Sequence, residues 1–251
     1  MTSMPADAPT ILATSGGLRP GERSRLAFSG LVHHAVERSG TTGRAPRVVH
    51  VGTAGGDQRW FAAELSEAAR HAGFHLDHLA LLPMPSHDDV RGLLLGADVV
   101  WVGGGSVAGL LALWRLHDLG PLMAEAWRAG VVLSGVSAGS LCWHVGGPTD
   151  SFGPDLRLVT DGLALLPYGN GVHYDSEAQR RPLVQRAVAA GDLPLTYCSD
   201  DGAGLLYRGT ELVEVLTDRP GARGYRVERD TSGAAPRAVE SPLEARLLPQ
   251  P

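Results

Sequence analysis

The chain has 251 residues, 43% of them hydrophobic and 20% charged, enough to bury one large core. The formal net charge is −5, every one of the 22 cations is arginine, and no basic run appears. That balance excludes the Lys/Arg stripe of a nucleic-acid binder, so no nucleic-acid partner is expected.

The 33 glycines are roughly 13% of the chain against a usual ~7%, which signals many tight turns; no G-X-Y period suggests collagen. Two cysteines, Cys142 and Cys198, are too few for a disulfide framework or a four-cysteine zinc site, and no metal is expected. The opening MTSMPADAPT has neither a basic n-region nor an apolar h-region. Apolar runs such as 97–102 and 110–114 fall short of the ~18 residues that span a bilayer. The expectation is a cytoplasmic protein with no membrane partner.

In chain order, residues 11–15 read as a strand ending at Gly16-Gly17, and 24–38 as a helix with Leu26, Leu31, Val32, Ala35 and Val36 at helical spacing. A second strand, 47–53, again runs into glycine. The helix 58–72 is stopped by Gly73, and a third strand follows at 74–81. A helix from about His87 leads to the apolar strand 97–102, closed by Gly103-Gly104-Gly105. Helices at 107–117 and 122–129 precede another apolar strand, 131–134, which enters Gly135-Val136-Ser137-Ala138-Gly139. Near-continuous apolar strands joined by amphipathic helices specify an α/β fold, a mostly parallel sheet with helices on both faces. Ligands of such sheets sit beyond the carboxyl ends of the strands, and three of the four ends here are dense in glycine.

After Leu166 the texture changes to short strands at 172–174, 195–198, 204–207, 212–216 and 224–227 around one helix at 177–190. These read as the antiparallel finish of a single domain spanning 1–230. The remainder, 231–251, reads as a flexible tail.

Gly135–Gly139 fits G-x-S-x-G between a strand and a helix, the context of a nucleophile elbow. Small neighbours permit the sharp turn that lifts the Ser137 hydroxyl into a cleft, and the N–H of Ala138 points where an oxyanion would form. A plain glycine turn with an incidental serine is the bland alternative. A serine hydroxyl needs a base at neutral pH. Of 10 histidines, His173 stands out in Asn170-Gly171-Val172-His173-Tyr174-Asp175, at an expected strand end. The others read as surface, capping or core residues, with His50 in a strand and His144 two turns along the elbow helix. Asp150 and Asp155, between the elbow and His173, are candidate orienting carboxylates. Asp175 and Glu177 read as helix caps, and Asp200-Asp201 as a turn before Gly202. Gly103-Gly104-Gly105-Ser106 reads as a second wall of an oxyanion hole or as a tight turn; no Gly-Lys-Ser/Thr follows, which excludes a P-loop.

Val102–Ser106 (VGGGS), the elbow GVSAGS and the downstream VHYDSE together resemble the dipeptidase E / cyanophycinase family of serine peptidases, from Ile11 to about Arg229. The resemblance implies a flavodoxin-like sheet akin to class I glutamine amidotransferases, and cofactor-free hydrolysis of peptide bonds by a monomer or homodimer with a peptide substrate. It places the nucleophile on Ser137, the base on His173 and the oxyanion donors on Gly105 and Ala138. The family's acidic member falls in the gapped loop after the elbow helix, where Asp150 is preferred to Asp155. Weaker expectations put Gly104, Ser106, Arg180 and Arg181 against the substrate. Two departures stand out: Ser106 replaces a usual asparagine, and no arginine aligns cleanly with the one that reads a substrate aspartate. The competing readings are a non-catalytic sensor or small-ligand binder on the same sheet, and an esterase-type serine hydrolase. An amidotransferase would need cysteine at the elbow, and Cys142 comes five residues too late.

Overall fold

The computed structural model describes residues 8–251. From its start, β1 (Thr10–Thr14) is followed by β2 (Leu18–Pro20), β3 (Leu26–Phe28), α1 (Gly30–Arg38) and β4 (Arg47–Val51). A 3-10 turn (Thr53–Gly55), α2 (Arg59–Ala72), β5 (His75–Leu79), α3 (Val90–Leu95) and β6 (Val99–Val102) come next. Then follow α4 (Val107–Leu116), α5 (Leu119–Arg128), β7 (Val132–Val136) and α6 (Ala138–Leu141). The second half contains β8 (Gly147–Thr149), β9 (Arg157–Val159), β10 (Gly169–Gly171), α7 (Arg180–Ala190), β11 (Thr196–Ser199) and β12 (Ala203–Arg208). It ends with β13 (Glu211–Thr217), β14 (Gly224–Asp230), β15 (Arg237–Leu243) and β16 (Arg246–Leu247).

The central sheet has eight strands in the order β16-β13-β12-β1-β7-β6-β4-β5. From β1 to β5 every pairing is parallel, whereas β12 runs antiparallel to both β1 and β13. This is the mostly parallel α/β sheet that the apolar runs specify. Strand alternation explains those runs. Ile11, Ala13, Val49, Val51, Val100, Val102 and Leu133 enter one core. Leu12, Val48, Val99, Trp101 and Val132 enter the other. A strand covered on both faces has no polar side to show in its sequence.

Four strands in the order β10-β11-β14-β15 form a second sheet, against which α7 packs through Val184, Ala187 and Val188. Here the structure departs from the sequence expectations. Residues 231–251 do not form a free tail: β15 pairs with β14 over seven positions, Arg246 and Leu247 pair with β13, and Leu248 is buried. Prolines at 236, 242 and 249 disguise the segment, yet β15 is an edge strand, where proline is tolerated. The expected strand 172–174 lies earlier, at β10. A Cβ on Gly169 would sit 2.3 Å from Thr196 Oγ1, and one on Gly171 would sit 2.7 Å from Cys198 Sγ. Those glycines serve the close approach of β10 to β11, although glycine in a sequence reads as a strand breaker. The stretch expected as one helix at 24–38 opens instead as β3, and α1 begins after Ser29, whose hydroxyl accepts the Leu31 N–H. Cys142 and Cys198 are free and buried. Among the described residues no helix is long and apolar enough to cross a membrane.

Candidate active site

The site forms where β1, β6, β7, β10 and β11 end on the same side of the molecule. Ser137 joins β7 to α6 with φ 58° and ψ −112°. A non-glycine residue at positive φ costs on the order of 1–3 kcal/mol and persists only where its surroundings hold it. Three bonds do so here: the Ser137 N–H donates to Thr14 O at 3.0 Å, and the N–H groups of Ser140 and Leu141 donate to Ser137 O, both at 2.9 Å. The neighbouring glycines are sterically required. A Cβ on Gly135 would lie 2.3 Å from Gly139 O, and one on Gly139 would lie 2.2 Å from Val102 O. The strand-to-helix bend is thus a nucleophile elbow in geometry as well as in sequence. The Ser137 side chain makes no capping bond to α6, which leaves its hydroxyl uncommitted to the helix.

His173 lies just past β10 and also has a positive φ, 53°. Its N–H donates to Ser15 Oγ at 3.1 Å, and the Tyr174 N–H donates to Ser199 O at 3.1 Å. The Ser15 and Ser199 hydroxyls lie 2.7 Å apart. Ser137 and His173 are therefore docked on consecutive residues at the end of β1, Thr14 and Ser15. No Ser137–His173 hydrogen bond is closed in this structure among the described residues; such bonds commonly tighten when substrate binds.

The carboxylate on the imidazole is Asp201. Its Oδ1 lies 2.5 Å from His173 Nδ1, which fixes Nδ1–H as the donor and leaves Nε2 as the acceptor facing away. This corrects the expectation of Asp150. Asp150 and Asp155 are exposed residues of the loop between β8 and β9, and neither carboxylate bonds His173. Asp201 stands beyond the end of β11, the parallel neighbour of β10, so two adjacent strand ends deliver the histidine and its partner together. Asp201 is itself anchored: its N–H donates to Asp175 Oδ1 at 2.8 Å, its carbonyl accepts from Arg219 Nε at 2.7 Å, and Arg219 also bonds Asp175. Partial burial acts to raise the Asp175 pKa, but the Asp201 N–H and the Arg219 guanidinium hold it below the usual carboxylate range.

The glycine loop after β6 closes the other side. Gly105 has φ 133°, and a Cβ there would fall 2.2 Å from Ala54 O, so only glycine fits. Neither the Gly105 nor the Ala138 N–H has a backbone acceptor among the described residues. A Cβ on Gly104 would sit 3.3 Å from Ser137 Cβ and 3.9 Å from its Oγ, so Gly104 lies against the serine.

The remaining expected substrate contacts are committed elsewhere. Ser106 caps α4, its Oγ accepting the Gly109 N–H at 3.1 Å. Arg180 is buried and donates to Pro148 O and Glu177. The Arg181 guanidinium carbon lies 4.6 Å from the Tyr174 ring centroid and 4.7 Å from that of Tyr225. His144 is a core residue, with Nδ1 3.0 Å from Ser140 O and Nε2 3.3 Å from the Tyr207 hydroxyl. Burial pushes its pKa down to about 4. Burial also pushes the Cys142 thiol up, away from thiolate chemistry. Among the described residues no group of three or more His, Cys, Asp and Glu is placed to hold a metal ion.

The model of peptidase family S51 matches residues 11–215. The Bacillus subtilis (strain 168) protein named uncharacterized peptidase YgaJ is 34% identical over 238 residues, covering 95% of this chain and 98% of its own. Two solved structures share the fold at 16% identity. A peptidase from an acI-B1 actinobacterium has a TM-score of 0.65, with 95% of each chain covered. A peptidase E-type protein from Listeria monocytogenes EGD-e has a TM-score of 0.59, covering 83% of this chain and 98% of its own. The chain belongs to peptidase family S51, the dipeptidase E family of serine-type peptidases.

Proposed function

We propose that this peptidase hydrolyses dipeptides or short peptides through an acyl-enzyme on Ser137, with His173 as general base and Asp201 as the carboxylate that orients it. The observation that carries the reading is the arrangement at the end of β1. Thr14 holds the amide of an elbow serine, Ser15 holds the amide of a histidine, and that histidine is already paired with Asp201.

In the proposed sequence, His173 Nε2 removes the proton from Ser137 Oγ as the oxygen attacks the scissile carbonyl. Asp201 keeps Nδ1 protonated and stabilises the imidazolium. The Gly105 and Ala138 N–H groups receive the oxyanion; a donor of this kind is typically worth about 2.7–4 kcal/mol of barrier. The imidazolium then gives its proton to the leaving amine. Water, deprotonated by the same nitrogen, then attacks the acyl carbon; the bond to Ser137 Oγ breaks, the imidazolium returns its proton to that oxygen, and the acid leaves.

Acid quenching during turnover of a dipeptide ester, followed by peptide mass mapping, tests this reading. The acyl group is expected on the fragment that contains Ser137. An adduct on another residue, or cleavage with no accumulated adduct and no loss in Ser137→Ala, would overturn it.

A further inference from the structure

A cavity of about 250 Å³ opens between the Thr53–Gly55 turn, the first turns of α2 and the end of β5. Gly104 lines this cavity and is also the residue that lies against Ser137, so the cavity adjoins the hydroxyl through one glycine with no side chain between them. Its volume is small beside the roughly 300–1,000 Å³ of sites for drug-sized ligands and suits one side chain. Trp60, Phe61, Ala62, Leu79 and Ala80 make its lining mainly apolar.

The polar groups at its edge are tied up, neutral or closed off from solvent. Ser66 Oγ donates to Ala62 O at 2.9 Å, so it accepts from His78 Nε2–H at 2.8 Å. Neutral His78 then offers its bare Nδ1 to His50 Nδ1–H at 3.0 Å. One hydroxyl thus sets both tautomers. Burial, reinforced by His78, pushes His50 down to about 3, and burial also lowers His78, so neither ring supplies a cation at neutral pH. Asp57 Oδ2 accepts the N–H groups of Leu81 and Leu82 at 2.7 and 3.0 Å, and its Oδ1 is closed off from solvent. That carboxylate opposes an entering anion, and its one oxygen without a hydrogen-bond partner, Oδ1, is closed off from solvent rather than presented to a cation. Among the described residues no arginine lines the cavity. Arg25, 5.7 Å from the Trp60 ring centroid, is exposed and lies 3.8 Å from Glu64.

We infer that this cavity is the specificity pocket of the site, and that it takes an uncharged apolar or aromatic side chain from the residue whose carbonyl Ser137 attacks. The inference rests on the peptidase reading above and adds a substrate class to it. A carbonyl seated at Gly105 and Ala138 places its own residue beside Gly104, which also lines the cavity. An aspartate side chain there would lose its water, meet the Asp57 carboxylate and find no counter-charge.

Calorimetric titration of the Ser137→Ala protein with Phe-Ala, Leu-Ala, Asp-Ala and Arg-Ala tests the pocket without any turnover. Phe-Ala and Leu-Ala are expected to bind on the order of 10- to 100-fold more tightly than Asp-Ala or Arg-Ala. Adding Ala62→Trp, which fills the cavity, is expected to erase the ratio between Phe-Ala and Asp-Ala. Equal affinities, tighter binding of Asp-Ala or Arg-Ala, or an unchanged ratio in a folded Ala62→Trp protein would overturn the inference. The four-peptide comparison decides even if Ala62→Trp does not fold. A wild type that cleaves none of the four would count against the hydrolytic reading alone, because the affinities are measured independently of cleavage.

Discussion

Ser137 was legible from five consecutive residues because an elbow is a local device. Its strand, its turn and its small neighbours are all written within Gly135–Gly139. The choice of His173 rests on a similarly local pattern, a histidine among polar residues at an expected strand end. Asp201 was not legible. Asp200-Asp201-Gly202 does form a turn, as its composition indicates, and nothing nearby in sequence shows that β11 lies beside β10. The available signal is the rule that chemistry gathers at carboxyl ends of strands: the sequence predicts a strand at 195–198, and two carboxylates follow its end. The correction is testable. Asp201→Asn is expected to lower kcat by about 10²–10⁴-fold, because the amide no longer fixes the working tautomer of His173. Asp150→Asn is expected to change kcat by less than about 3-fold, since its carboxylate is exposed and makes no bond to the imidazole. Steady-state kinetics on one peptide with both variants checks the pair, and the reverse order of effects would restore Asp150.

Among the elements, the junction of β6, β7 and α6 leaves no room for a Cβ at its glycines. A methyl group on Gly139 would press into the carbonyl of Val102, and one on Gly105 into that of Ala54. Backbone oxygens cannot swing aside as side chains do. Gly139→Ala is therefore expected to destabilise the fold by about 1–3 kcal/mol through overpacking. In a chain of this size that corresponds to a fall in Tm of about 2–4 °C per kcal/mol, measurable by thermal unfolding. An unchanged Tm would mean that the elbow has slack that the close contacts deny. In the parallel half, β1, β4, β6 and β7 are legible as continuous apolar runs because both their faces are covered, whereas the short β3 inside 24–38 is not. The later half was harder to read. Gly169 and Gly171 reflect close approach to a neighbouring strand rather than an interruption of β10, and Pro242 belongs to β15. These are tertiary reasons that act over long sequence separations.

For the whole molecule, a mostly parallel sheet covered on both faces is legible in the continuous apolar runs joined by helices, but its strand order and the second sheet are not, because a strand's own sequence does not name its pairing partners. The completed fold encloses imidazoles that must remain neutral. His50 is held at about 3 and His144 at about 4, in both cases by burial first, against an ordinary value of 6.5. Their folded values lie below their unfolded ones, so the unfolded chain binds more protons as the pH drops. Their contribution is complete above about pH 6.5 and is lost on acidification, at about 1.4 kcal/mol per pH unit for each ring until the folded value is approached. Asp98 acts in a lower window. Burial acts to raise its pKa, but Arg44 and the Arg47 N–H hold it below the usual value of 3.8, so its contribution is lost only as the pH falls through that range. Chemical unfolding at about pH 7.5 and about pH 5 is thus expected to show a loss of several kcal/mol, with a shallower dependence in His144→Gln. Equal stability at the two pH values would show that the buried rings take up protons without unfolding.

The most direct test of the account is the rate of peptide hydrolysis by Ser137→Ala relative to wild type, with folding confirmed by matching thermal transitions. Turnover is expected to fall by at least about 10⁴-fold, because neither His173 nor the oxyanion donors can form the acyl-enzyme without that oxygen. Cleavage within about tenfold of wild type by the folded variant would contradict the assignment of Ser137 as the nucleophile.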